Sequence, residues 1–174
     1  MHLLFEMDKK DYDLSLVGDD SKVFRRDSAR AVIFRDGKLV VIYSQKNHFY
    51  KIPGGGIETG EKPIDAMIRE VKEEAGLSII PESVEEMGYV HRIQKGRHEP
   101  LFIQDNYYYY CDAEPGQSAP SYSNDELEEG FIPDFVPLQK AIEVNEEFRR
   151  LHPDDVMIDR ELRVMKIIQQ KLFG

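Results

Sequence analysis

Residues Gly55–Leu77 read GGIETGEKPIDAMIREVKEEAGL, and this stretch predicts a helix with marked ends. Pro63 suits a first helical turn, where its missing N–H has no intrahelical partner to lose. Ile64, Met67, Ile68, Val71 and Ala75 follow at helical spacing and form one apolar stripe. Gly76 stands where a left-handed C-cap belongs. The same helix carries Arg69, Glu70, Glu73 and Glu74. At about 100° per residue, the three glutamates fall within an arc of about 100°, beside the apolar stripe. Ionised carboxylates so close repel one another. Taken alone, such a cluster is most simply a solvated helix face. A hard divalent cation offers the other reading: Mg²⁺ takes oxygen ligands, leaves positions for phosphates and reverses the local sign of charge. Upstream, Gly54, Gly55 and Gly56 let backbone approach a ligand closely. They are no P-loop, because no Gly-Lys-Ser/Thr follows them. Glu61 is expected to accept from donors at the helix entrance and tie the loop to the helix.

Working outward, Ala29–Arg35 and Lys38–Ser44 are rich in β-branched and aromatic residues, and Asp36-Gly37 between them favours a tight hairpin. Tyr12–Val17 alternates enough for a strand, and residues 1–10 read as a loose or short-strand start. Further strands are expected at Val84–Gln94, Leu101–Asp112 and Phe131–Pro137. Residues 113–124 read as loop, with Pro115, Gly116, Pro120 and several serines. Leu138–Leu151 and Val156–Phe173 read as helices. Strands in the middle flanked by helices predict an α/β (α+β) chain, a mixed sheet between helical layers, with residues 1–174 as one domain.

The chain of 174 residues is long enough for a full core. Its longest apolar runs, such as Leu39–Tyr43, are strand-sized and predict no membrane span. The N-terminus turns acidic too early for a secretory signal. Cys111 is the only cysteine, so no internal disulfide forms, and a cytoplasmic setting is expected. A formal charge of −10 argues against a nucleic-acid-binding module. It would also repel a small anionic substrate, which then needs local cations.

Gly55, Glu61, Arg69, Glu70, Glu73, Glu74 and Gly76, with Val71 and Leu77, stand in the spacing of the Nudix box, and the chain resembles that hydrolase family. With each residue type near one in fifteen, a chance match at the fixed positions is on the order of one in 10⁸ per start point. Tyr50-Lys-Ile-Pro-Gly-Gly resembles the family's lead-in, with Tyr50 where a tryptophan is common. Phe131–Ala141 resembles its closing strand and helix entry, so residues 28–150 are covered. The resemblance implies an α/β/α sandwich and a Mg²⁺-dependent (or Mn²⁺-dependent) diphosphohydrolase acting on a nucleoside diphosphate linked to a further group. It implies metal ligands at Glu70, Glu73, Glu74 and the Gly55 carbonyl, with Arg69 orienting the carboxylates. The general base of the family is a box glutamate or one on a downstream loop. Here that loop offers Glu129 first and Glu126 second.

Outside the box, Arg25, Arg26, Arg30, Lys51, Arg92 and Arg97 are candidates for phosphate contacts. On a strand through Tyr107–Tyr110, alternate rings share a face, so Tyr107 and Tyr109 are candidates to line the cleft. With Arg30, Lys51 and Tyr50 they complete the expected substrate contacts. The five histidines are too scattered for a zinc site. The proline that marks ADP-ribose pyrophosphatases would fall near Arg92 and the tyrosine of dinucleoside polyphosphate hydrolases near Gln94; neither is present. Nucleoside triphosphates, oxidised ones included, or another diphosphate conjugate remain, acted on by a monomer or a homodimer. The alternative is a non-catalytic nucleotide-binding domain of the same fold.

Overall fold

In the computed structural model, which covers residues 1–174, the expected strand 29–35 is divided between two sheets. In chain order the elements are β1 (Leu3–Asp8), β2 (Val23–Arg25), β3 (Ser28–Val32), β4 (Phe34–Arg35), β5 (Lys38–Ser44), β6 (Phe49–Lys51) and β7 (Gly54–Gly56). Helix α1 (Pro63–Ala75), β8 (Glu85–Gln94), β9 (Leu101–Tyr110), α2 (Asn124–Glu128), β10 (Phe131–Val136), α3 (Leu138–Leu151) and α4 (Val156–Phe173) follow. One sheet has the order β1-β8-β9-β3-β7, with β2 also on β9. It is mixed, since β9 runs parallel to β2 and β3 but antiparallel to β8. The second sheet runs β10-β5-β4, with β6 also on β5. The chain passes between the sheets at Ile33, whose carbonyl accepts from Val40 N. Asp36 and Gly37 then turn it back with φ of 51° and 74°, as a two-residue hairpin requires.

The sheets lie between α1 on one side and α3 and α4 on the other. Met67, Val71, Ala75 and Leu77 pack with Ala29, Ala31, Ile33, Val40 and Tyr109 in one core. Leu162, Val164, Met165 and Ile168 pack with Val32, Leu39, Ile52 and Tyr108 in the other. Every residue of β3 is buried, as befits a strand covered on both faces. Helix α1 begins at Pro63 and closes on Gly76, whose φ is 68°.

Three further expectations change. Tyr12–Val17 is not a strand: Asp13 accepts from Ser15 N at 2.9 Å and turns Leu14–Leu16 into a 3-10 helix. The glycine run is itself an edge strand, β7, antiparallel to β3. A Cβ on Gly54 would overlap the Ala29 carbonyl oxygen, so that glycine serves close strand packing. The loop before β10 contains α2, opened by a capping box in which Ser123 and Glu126 bond each other's backbone.

The segment 113–122 has a clear structural task. The last carbonyls of a helix lack partners within it. Here Ser121 N donates to Glu73 O (2.7 Å) and Ser118 N to Gly76 O (2.9 Å). The Tyr122 hydroxyl donates to Glu74 O (2.7 Å) and the Gln117 amide to Ala75 O (2.9 Å). The loop thereby seals the end of α1 and delivers α2 beside the box.

Candidate active site

Arg69 organises the entrance to α1. Its Nε and Nη2 donate to the two oxygens of Glu61 at 2.9 and 2.8 Å, its Nη1 to Glu70 at 2.7 Å, and its Nη2 also to the Gly56 carbonyl at 3.1 Å. This forked arrangement is one that a guanidinium can make and an ammonium cannot. Glu61 also accepts from Glu58 N at 2.9 Å, in the loop and not at the helix start. With Arg69's hydrogen bonds the largest cause, its carboxyl is held down to about 2.

The three box glutamates have separate surroundings. Glu70 lies under the glycine strand: a Cβ on Gly55 would stand 2.5 Å from its carboxylate. Glu73 is half-exposed, 3.5 Å from Arg69. Burial, then Glu70, pushes it above the ordinary carboxylate range; Glu126 and Glu58 add to this and Arg69 opposes it. Glu74 is buried (2% exposed), ion-paired with Lys51 Nζ, and accepts from Gly54 N at 2.8 Å. Burial pushes its carboxyl up, against Lys51 and the Gly54 N–H. The three carboxylates therefore do not repel one another unrelieved, as their spacing on the helix had suggested. Arg69 and Lys51 already offset much of the charge of Glu70 and Glu74.

A cleft of about 400 Å³ opens over this face. Its floor is Gly54, Gly55 and Gly56 with Glu70 and Glu74. Its walls carry Arg26, Arg30 and Lys51, the aromatic pair Phe24 and Phe102, and Ser28, Gln104 and Glu126. Arg30 is partly committed elsewhere, donating from Nη1 to the Ile52 and Gly54 carbonyls at 3.0 and 3.2 Å.

Other expected residues lie away from the cleft. Glu129 faces the turn after β5, where it accepts from Asn47 Nδ2 at 2.6 Å and pairs with Lys46 at 3.7 Å. Glu126 is the downstream glutamate that lines the cleft. Tyr50 is buried against Tyr43, donates to Asp134 at 3.2 Å, and has its phenol pushed up to about 12, chiefly by burial. Tyr107 and Tyr109 pack on the α1 side of the sheet, Tyr107 beside Tyr89. The cleft lies on the opposite face of β9, where Phe102 and Gln104 stand. The alternation expected for β9 holds, but the cleft takes the even-numbered face and its first half. Arg26, a candidate for phosphate contact from the sequence, does line the cleft, whereas Phe24, Phe102 and Gln104 could have been found only by knowing that β2 lies beside the start of β9.

The donors around the box suit a hard cation. Glu58, Glu70, Glu73, Glu126 and the Gly55 carbonyl are all oxygens, and Gly55 has no room for a side chain against Glu70. No three carboxylates already converge on one point, and Glu74 would have to exchange Lys51 for an ion.

A family model described as the NUDIX domain matches residues 24–157. The chain belongs to the Nudix family. The resemblance drawn from the box is thereby borne out, and Nudix hydrolases generally use divalent metal ions. The chain is similar to the RNA pyrophosphohydrolase of Xanthomonas oryzae pv. oryzae, 35% identical over 69 residues, 40% of this chain and 33% of that protein. It is also similar to the ADP-ribose pyrophosphatase of Methanocaldococcus jannaschii, 41% identical over 49 residues, 26% of this chain and 29% of that one. The chain thus spans about a third of the length of these curated relatives. Among solved structures, the E. coli ORF135 protein matches with a TM-score of 0.58 and 18% identity, over 88% of this chain and 96% of that one. The MutT protein of Bacillus halodurans matches at 0.54 and 14%, over 68% and 72%. At such identities the shared property is the fold, a mixed sheet flanked by helices.

Proposed function

We propose that this Nudix protein is a Mg²⁺-dependent hydrolase that cleaves the diphosphate bond of a nucleoside diphosphate linked to a further group, by attack of water on phosphorus. The observation that carries the reading is the cleft itself. It brings Glu70, bonded to Arg69, into one cleft with Arg26, Arg30 and Lys51 and a floor of bare glycine backbone. Glu70, Glu73 and the Gly55 carbonyl would hold the cation, joined by Glu74 once it parts from Lys51. Bound there, the cation supplies positive charge to the diphosphate and lowers the pKa of a water. Arg26 and Lys51 orient the phosphates, and Phe24 and Phe102 offer rings to the organic part. Glu126 takes the proton from the attacking water. The substrate is a nucleoside triphosphate or a related conjugate, and residues 1–174 act as one unit.

Phosphate or nucleotide release from a panel of nucleoside triphosphates, ADP-ribose and 5′-triphosphorylated RNA, with and without Mg²⁺, tests this. Turnover should need the metal and vanish with a chelator. Glu73→Gln should reduce kcat by about 100-fold or more with the fold kept; undiminished turnover would remove Glu73 from the site. The second reading, a nucleotide binder without turnover, is favoured by one observation: Lys51 already occupies Glu74. Tight nucleotide binding with no metal-dependent release across the panel would establish it.

A further inference from the structure

Strand β6 pairs with β5 along one edge only. The backbone groups of its other edge need partners, because a buried N–H or C=O without one is costly. No strand supplies them at Tyr50; buried side chains from four elements hold Tyr50 and, between β6 and the start of β7, Ile52 and Gly54. Asn145 of α3 accepts from Tyr50 N through Oδ1 and donates to Tyr50 O through Nδ2, both at 2.8 Å. Its amide thus stands in for the peptide group of a neighbouring strand. Glu161 of α4 accepts from Ile52 N at 2.6 Å, Arg30 donates to the Ile52 carbonyl, and Glu74 accepts from Gly54 N. Alternate residues 50, 52 and 54 are held in this way, and between them Lys51 carries its ammonium into the cleft.

Asn145 and Glu161 are fully buried, and neither lines the cleft. Polar groups in a core are costly unless bonded, and an apolar residue at either position would leave the Tyr50 or Ile52 backbone without its partner. Glu161 also accepts from the Tyr108 hydroxyl at 3.3 Å, and its bonds with Arg160 lead toward the cleft wall. Its Oε1 accepts from Arg160 Nη2 at 3.0 Å, Arg160 Nη1 donates to Asn106 at 2.7 Å, and Asn106 accepts from Ser28 at 2.7 Å. We infer that Asn145 and Glu161 are positioning residues, which fix β6 so that Lys51 stands at Glu74 in the cleft. The catalytic consequence rests on the proposed phosphate role of Lys51; the positioning itself does not.

The test follows the Lys51 ammonium directly, by lysine Nζ ¹H–¹⁵N correlation spectra at low temperature on the ¹⁵N-labelled chain. Lys51→Met assigns the signal. Asn145→Ala should shift or broaden it. Ile93→Ala, a core truncation remote from β6, should leave it in place. A signal unmoved by Asn145→Ala, or moved equally by Ile93→Ala, overturns the inference. Should Asn145→Ala not fold, Asn145→Ser, too short to bridge both Tyr50 groups, carries the same comparison. Glu161→Ala should disturb the signal and Glu161→Gln, which keeps an oxygen for the Ile52 amide, should retain it; disturbance by both removes Glu161 from the proposal. On a nucleotide that is hydrolysed, Asn145→Ala should lower kcat/KM about tenfold with Lys51 present and less than about twofold in Lys51→Met. Effects that multiply would count against positioning. If no nucleotide is hydrolysed while the signals behave as expected, the functional reading fails and the positioning stands.

Discussion

Glu61 and Glu70 both lean on Arg69, yet they give different handles. The Glu61 carboxyl lies at about 2 when folded, below its ordinary value of 4.5. Its contribution to stability is therefore fully present above about pH 4.5 and fades as the pH falls toward 2. Thermal melts of the wild type and Glu61→Gln should differ at neutral pH and converge through that window; a constant difference would exclude the linkage. Gly55→Ala should abolish turnover more than it lowers the melting temperature, since its Cβ would meet the Glu70 carboxylate and not the core. Cys111, with its thiol pushed up to about 12 by burial, should resist alkylation until urea unfolds the chain. At this scale the box was legible because its chemistry is local in sequence. Glu73 and Arg69 are one helical turn apart, so their meeting follows from helix geometry. The pairing of Glu74 with Lys51 was not legible, because it depends on where β6 lies, twenty-three residues away. The same limit explains Glu126 and Glu129. They share one short segment, and only the capping box of α2 decides which of them turns to the cleft.

Among the elements, α1 shows how a loop of low regularity acquires a definite place. Pro115, Gly116 and Pro120 marked residues 113–124 as irregular, and they contain no strand; their bonds to the carbonyls of Glu73, Glu74, Ala75 and Gly76 were invisible to periodicity. Tyr122→Phe removes one of these bonds and leaves the Glu74 carbonyl without it. We expect a loss of about 1 kcal/mol in urea unfolding, with a smaller effect on turnover than Glu73→Gln. Unchanged stability would mean that water replaces the hydroxyl. Helices α3 and α4 were legible to the residue from their apolar spacing. The misread strand at Tyr12–Val17 shows the opposite case, in which one aspartate side chain overrode a weak alternation.

On the scale of the whole molecule, the charge of −10 and the three cleft cations Arg26, Arg30 and Lys51 act on an anionic substrate in opposite directions. The long-range repulsion is screened by salt, whereas contacts within the cleft are screened much less. At fixed Mg²⁺, KM should fall as ionic strength rises from low to physiological. A KM that only climbs would assign the dominant field to the cleft. Ending the chain after Leu151 would remove Glu161 and Arg160 and uncover Tyr108 and Ile52. We expect no cooperative melt from that fragment.

The passage of one strand between sheets at Ile33 bears on how the molecule comes apart. Ala31 donates to Pro53 O beside the first sheet, and Val40 donates to Ile33 O in the second. Only one buried residue, Val32, separates Ala31 from the crossing. Opening either sheet therefore loosens the seam that anchors the other. Amide hydrogen exchange at Ala31 and Val40 should report one common opening free energy, equal to that of global unfolding, so that the two sheets behave as a single foldon.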